Sequence, residues 1–121
     1  MIPFISFDYQ NTLLKSTFLD KTAAFLEAKN YVLGLEVEAF EKSFAQLINS
    51  RFAIGVASGL DALIIALKAI NIKQKDEIIV PSNAYIASWL SISQLGAKIV
   101  PVEPDPRTYN LDPSKIEEKI T

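Results

Sequence analysis

From Arg51 onward, short apolar runs alternate with helical patterns, and no other feature restricts the fold as strongly. Phe52-Ala-Ile-Gly-Val56 is a nearly continuous apolar run, as expected of a strand buried on both faces. Ala57-Ser58-Gly59 then reads as a turn, and Leu60 to Ile70 as a helix. Glu77-Ile-Ile-Val80 is the next expected strand, ending at Pro81, and Ala84 to Leu95 the next helix. Gly96 suits the position just past that helix, where a left-handed residue is needed. Lys98-Ile-Val-Pro-Val-Glu103 is a third expected strand, with Pro101 pointing to an edge or irregular position. After the polar turn at Pro104–Arg107, Asp112-Pro113 reads as an N-cap and first helical residue of a last helix to Ile120. Strands alternating with helices imply an α/β fold with a mostly parallel sheet flanked by helices.

The first 50 residues follow a different pattern. Residues 1–7 are apolar and contain proline, so an extended segment is expected. From Asp8 to Ala28, Leu13, Leu14, Phe18, Ala24, Phe25 and Ala28 recur at helical spacing. Tyr31-Val-Leu-Gly34 interrupts this, and Glu36 opens a second helix with Val37, Phe40, Phe44, Leu47 and Ile48 on one face. Two helices without strands suggest an arm or packing layer beside the α/β part.

Composition removes several kinds of chemistry. The 121 residues contain no histidine and no cysteine. That excludes a thiolate metal site, a disulfide framework and any Ser-His or Cys-His pair within them. Net charge is −2, with no basic cluster, so nucleic acid is not expected as a partner. The start, MIPFISFDYQ, has no basic segment leading into an apolar one, and ALIIAL is too short to span a bilayer. The expectation is a cytoplasmic protein with no membrane partner.

Two segments carry candidate chemistry. In Gly55-Val-Ala-Ser-Gly-Leu-Asp-Ala-Leu63 a buried run leads through small residues into a helix. Backbone N–H groups at a helix start are unpaired and carry partial positive charge, which suits a phosphate. Ser58 can donate a hydroxyl or cap the helix; Gly59 lets an oxyanion come close. Asp61 helps the helix dipole but repels an anion if it points inward. A capped turn with no ligand would have the same spelling, and the lysine of a P-loop is absent. In Val80-Pro-Ser-Asn-Ala-Tyr-Ile-Ala-Ser-Trp89 a second strand end meets a helix start. Tyr85 would then lie at the same sheet edge as the Ser58 turn, where open α/β sheets bind ligands, and its ring can stack on a planar group. Alternatively, Tyr85 and Trp89 are core residues, and Ser82 and Asn83 are helix caps.

The order of these segments resembles the DegT/DnrJ/EryC1/StrS family of pyridoxal-phosphate aminotransferases, which act on nucleotide-linked keto sugars. The resemblance runs through Tyr31-Val-Leu-Gly34, Glu36-Val-Glu-Ala-Phe-Glu41, Ala57-Ser-Gly-Leu-Asp-Ala-Leu63, Val80-Pro-Ser-Asn-Ala-Tyr-Ile-Ala87, Gly96-Ala-Lys-Ile-Val-Pro-Val102 and Asp105-Pro-Arg-Thr-Tyr-Asn-Leu-Asp-Pro113. Within the family, the spellings Gly59-Leu-Asp-Ala-Leu63 and Ser82-Asn83 resemble those of transaminases that aminate a dTDP-3-keto-6-deoxyhexose.

The resemblance implies the large domain of the type I aminotransferase fold, with residues 1–50 as an arm and 51–121 as part of the cofactor-binding domain. It implies pyridoxal 5'-phosphate as cofactor. Ser58 and Gly59 would form the phosphate turn, the amides of Leu60 and Asp61 would hold the phosphate, and Tyr85 would stack on the pyridine ring. Family members most often carry threonine where Leu60 stands, so only the backbone contribution is expected here. Residues around Leu33-Gly34 would face the sugar nucleotide. A keto sugar nucleotide, an amino-acid donor (glutamate) and a homodimeric partner are implied, in amino-sugar biosynthesis for glycans of the polysaccharide or O-antigen type. No lysine here matches the family's lysine motif, so the Schiff-base lysine is expected beyond Thr121. These residues alone would then be an inactive fragment that binds cofactor weakly. A small phosphate-binding domain or an interaction domain is the alternative.

Overall fold

The computed structural model describes residues 3–121, so the first two residues of the expected extended segment lie outside the described residues. Residues 3–7 are irregular. The chain divides into two compact units, the first running to Gly55 and the second being Val56–Thr121.

The first unit holds α1 (Asp8–Ala28) and α2 (Leu35–Leu47). The apolar spacing of α1 does make a helix, but no residue of it is buried. In α2, Ala45 is buried, Phe40 stacks on Phe44 with ring centroids 5.8 Å apart, and Glu36 and Glu38 occupy the first turn. Leu33 sits in the left-handed region (φ 52°) beside the buried Gly34, which caps α2.

Phe52–Val56 is not a strand. A strand exists only where a neighbour takes its ladder hydrogen bonds, and this run has none among the described residues. Its backbone is engaged by side chains instead: Gly55 N–H donates to Glu41 Oε1 at 2.6 Å, and Ser50 Oγ donates to the Phe52 carbonyl at 2.9 Å.

The second unit contains α3 (Gly59–Ala69), β1 (Glu77–Pro81), α4 (Ile86–Gln94) and β2 (Lys98–Val102). The sheet of the described residues therefore has two strands, not three. They run parallel, with Glu77 opposite Lys98 and Pro81 opposite Val102. Their connection through α4 is the crossover that a parallel pair requires. The core lies where α4 meets α3 and the two strands, around Val80, Ile92 and Val102, all buried. Ser91 is buried with them, and its hydroxyl donates to the Ser88 carbonyl at 2.8 Å. Lys98 donates to Glu77 across the strand ends, which, with a hydrogen bond from Thr121, holds the Glu77 carboxyl below its ordinary pKa.

Three helices end in one way. Asn49, Asn71 and Gly96 are left-handed (φ 52°, 62° and 70°) just past α2, α3 and α4. In each, the next residue's N–H reaches back to the third-last carbonyl of the helix: Ser50 to Ala45, Ile72 to Leu67, Ala97 to Ile92. The expected last helix is instead two short 3₁₀ turns, Pro113–Lys115 and Glu117–Lys119. Asp112 does cap the first, accepting from Ser114 N–H at 3.0 Å and Ser114 Oγ at 2.6 Å. Each amide here bonds back three residues rather than four, Ile116 to Pro113 and Lys119 to Ile116, which is the tighter 3₁₀ pattern.

Candidate functional site

Helix α3 begins with a reciprocal cap. Ser58 is extended (φ −156°, ψ 165°), and its Oγ accepts the Asp61 N–H at 3.2 Å while donating to Asp61 Oδ2 at 2.6 Å. Ala62 N–H takes the Ser58 carbonyl at 3.0 Å as the first intrahelical bond. The N–H groups of Gly59 and Leu60 have no partner inside the helix, as its geometry dictates. Asp61 N–H, expected to face a phosphate, is already held by Ser58. Gly59 is not left-handed, and a Cβ built on it would meet no atom within 4 Å. The space over this turn is open.

The loop from β1 to α4 forms the facing wall. Ser82 N–H donates to the Val102 carbonyl at 2.8 Å and prolongs the ladder by one bond. Ala84 N–H closes a turn onto the Pro81 carbonyl at 3.0 Å. Tyr85 then sits at the N-cap of α4 (φ −58°, ψ 146°) with its side chain 80% exposed. The core alternative for Tyr85 is thereby overturned; Trp89, one turn on, is half-buried. Neither Ser82 nor Asn83 caps α4, which has no side-chain cap. Asn83 instead donates from Nδ2 to the Tyr109 carbonyl at 3.0 Å, because the turn at Pro81–Ala84 places it before the helix begins.

Ser58, Gly59, Leu60 and Tyr85 line one concavity of about 620 Å³. Leu63, Ile86, Ala87, Ser88 and Leu90 complete its wall, which is mostly apolar. Asp61 is half-buried behind Ser58 and is not part of that wall. The arrangement offers two amide donors at one side, an exposed aromatic ring at the other and apolar surface between them. It suits a flat, apolar-faced ligand carrying an anionic group. The additional wall residues had a sequence signal, since Leu63 and Ile86 follow Gly59 and Tyr85 on the same helix starts. The Asn83–Tyr109 bond, spanning 26 residues, had none.

Among the described residues, no group of three or more Asp, Glu, His or Cys could hold a metal, and no helix is long and apolar enough to cross a membrane.

Known proteins share this architecture. The chain is 50% identical over 121 residues to dTDP-3-amino-3,6-dideoxy-alpha-D-galactopyranose transaminase from Aneurinibacillus thermoaerophilus, covering all of this chain and 33% of that protein. The crystal structure of Streptomyces venezuelae DesV, in complex with a ketimine intermediate, matches with a TM-score of 0.91 at 42% identity, over 99% of this chain and 32% of that one. The structure of ntda from Bacillus subtilis with bound cofactor PMP matches with a TM-score of 0.90 at 30% identity, over 99% of this chain and 28% of that one. The chain thus spans about a third of the length of these relatives. The sequence profile of the DegT/DnrJ/EryC1/StrS aminotransferase family matches residues 13–121, and with half of all positions identical to one of these transaminases, the chain belongs to that family.

Proposed function

We propose that the protein carrying this chain is a pyridoxal-phosphate aminotransferase that moves an amino group from glutamate to the keto carbon of a nucleotide-linked 3-keto-6-deoxyhexose. The reading places it in the cytoplasm as a homodimer. The observation that carries the site is the single concavity holding the Gly59–Leu60 helix start and the exposed Tyr85 ring. The residues fit the cofactor: the open space over Gly59 accommodates a phosphate, and the Tyr85 face accommodates a planar ring.

Bound there, pyridoxal phosphate supplies the electron sink for amino transfer. The chain's own residues bind and orient. Gly59 and Leu60 would donate backbone N–H groups to the phosphate, with the helix dipole adding favourable charge. Ser58 spends its hydroxyl proton on Asp61, so it shapes the turn and holds the Asp61 carboxylate out of the concavity. Tyr85 would stack on the pyridine ring, and Leu63, Ile86 and Leu90 would help to exclude water from it. Among the described residues, no lysine lines the concavity.

The test is made on the intact protein. Incubation with pyridoxal phosphate, glutamate and a dTDP-linked 3-keto-6-deoxyhexose should yield the 3-amino sugar nucleotide; absence of that product refutes the activity. Tyr85→Ala should weaken cofactor binding by about 0.5–1.5 kcal/mol, as for loss of an aromatic pair. Unchanged affinity in that variant refutes the site.

Leu60→Thr gives an effect of opposite sign. The leucine side chain is half-buried at the concavity and offers no donor. A threonine hydroxyl there adds a hydrogen bond to the phosphate, which should tighten cofactor binding roughly two- to tenfold. Equilibrium titration with cofactor reads this directly, and a weaker Leu60→Thr complex would mean that the phosphate lies elsewhere.

A further inference from the structure

We infer that Asn83 is a positioning residue for Tyr85, acting through a hydrogen bond to the backbone of Tyr109. The inference rests on the cofactor-site reading above and assigns to it a residue that does not touch the ligand. Tyr85 is the exposed wall of the concavity, with no side-chain hydrogen bond of its own among the described residues. The direction of its ring is therefore set by the loop that carries it. That loop is tied to the sheet by the Ser82 amide and closed by the Ala84 amide. The only side-chain hydrogen bond made by residues 82–85, among the described residues, is that from Asn83 Nδ2 to the Tyr109 carbonyl at 3.0 Å.

The acceptor is itself firmly held. Tyr109 is left-handed (φ 58°), a conformation unfavourable for a bulky side chain and kept only where its surroundings over-determine it. Its N–H donates to the Asp105 carbonyl at 2.8 Å, while Asp105 N–H takes the Asn110 carbonyl at 2.9 Å. The Asp105 carboxylate accepts the amides of Arg107 and Thr108 at 2.7 and 3.2 Å. Pro104 and Leu111 close the turn as an antiparallel bridge. Asn83 thus fastens a loop with few ties to a turn with many, two residues before the ring that must be placed. Since the partner is a carbonyl, the bond requires an N–H donor, which aspartate at neutral pH lacks.

The experiment compares Asn83→Asp, Tyr85→Ala and the double variant in the intact protein. It measures pyridoxal-phosphate affinity, the circular dichroism of the bound cofactor and the unfolding midpoint without cofactor. Asn83→Asp should lower affinity about two- to tenfold and change the cofactor dichroism, leaving the cofactor-free midpoint in place. In the Tyr85→Ala background it should have no further effect, because no ring remains to be positioned. Asn83→Ala should behave like Asn83→Asp, which separates the lost donor from the added charge. A loss that persists undiminished without the ring, or that tracks a fall in the cofactor-free midpoint, overturns the inference. If Tyr85→Ala weakens the cofactor and Asn83→Asp does not, this inference alone falls; if Tyr85→Ala has no effect, the cofactor-site reading falls and takes it along.

Discussion

Gly59→Val in the intact protein is expected to cost roughly ten- to a hundredfold in pyridoxal-phosphate affinity while changing fold stability by less than about 1 kcal/mol. The asymmetry follows from the backbone of the turn. Gly59 does not occupy a left-handed conformation, so a side chain there meets no conformational strain. Its Cβ would have no protein atom within 4 Å, so nothing must move to admit it. Valine also has a better helix propensity than glycine, which offsets any small loss at the first helical position. What valine does fill is the open space over the Gly59 and Leu60 amides, where the phosphate would sit. Each charge-assisted bond lost there is worth about 1.5–3 kcal/mol, so loss of even one dominates the small stability term. Cofactor titration and thermal unfolding of the same variant decide the matter. Retained affinity would show that the turn only caps a helix, and equal losses in both would show that Gly59 serves the fold.

That glycine illustrates where the sequence was informative and where it was not. The strand–helix alternation exposed the positions of α3, β1, α4 and β2, because each element carries its own local signal: apolar continuity for Ile78–Val80, helical spacing for Leu60 onward, Gly96 as a stop. Local signals do not report partners. Phe52–Val56 has the composition of a buried strand, but a strand is a relationship between two segments, and no neighbour pairs with it among the described residues. The same limit applies to α1, whose apolar residues give a helix without any buried position. The convergence of Ser58, Gly59, Leu60 and Tyr85 on one concavity was legible in part, because they stand at the starts of α3 and α4, two helices that pack on each other. The division of labour within the turn was not legible. Whether Ser58 faces a ligand or Asp61 depends on a hydroxyl rotor and a carboxylate three residues on, and the structure joins them to each other. Asn83 read as a cap because it precedes a helix, yet the turn closed by the Ala84 amide moves the helix start past it.

The 121-residue chain by itself is expected to self-associate at micromolar concentration and to unfold without a sharp cooperative transition. Its accessible surface is 10396 Å². Two separate compact units of the same total mass, 13.4 kDa, expose about 7,800 Å². The excess, about 2,500 Å², is larger than the ~1,600 Å² buried in a standard protein interface. Much of that surface is apolar. Tyr9, Leu13, Leu14, Phe18, Leu19 and Leu26 along α1 are all exposed, as are Leu47 in α2 and Ile54 in the unpaired run. A helix with apolar residues on several faces is stable in water only when other surfaces cover it. The two-stranded sheet adds edges whose backbone groups are open to pairing with another chain. Against this, the buried apolar side chains among the described residues are Ala45, Val80, Ile92 and Val102, too few to outweigh the entropy of ordering the chain by a wide margin. Sedimentation over a range of concentrations should therefore show species heavier than 13.4 kDa that grow with concentration. Thermal unfolding should be broad. A single monomeric species with a steep, reversible melting curve would show that these residues cover their own apolar surface in solution, and the expectation of self-association would be wrong.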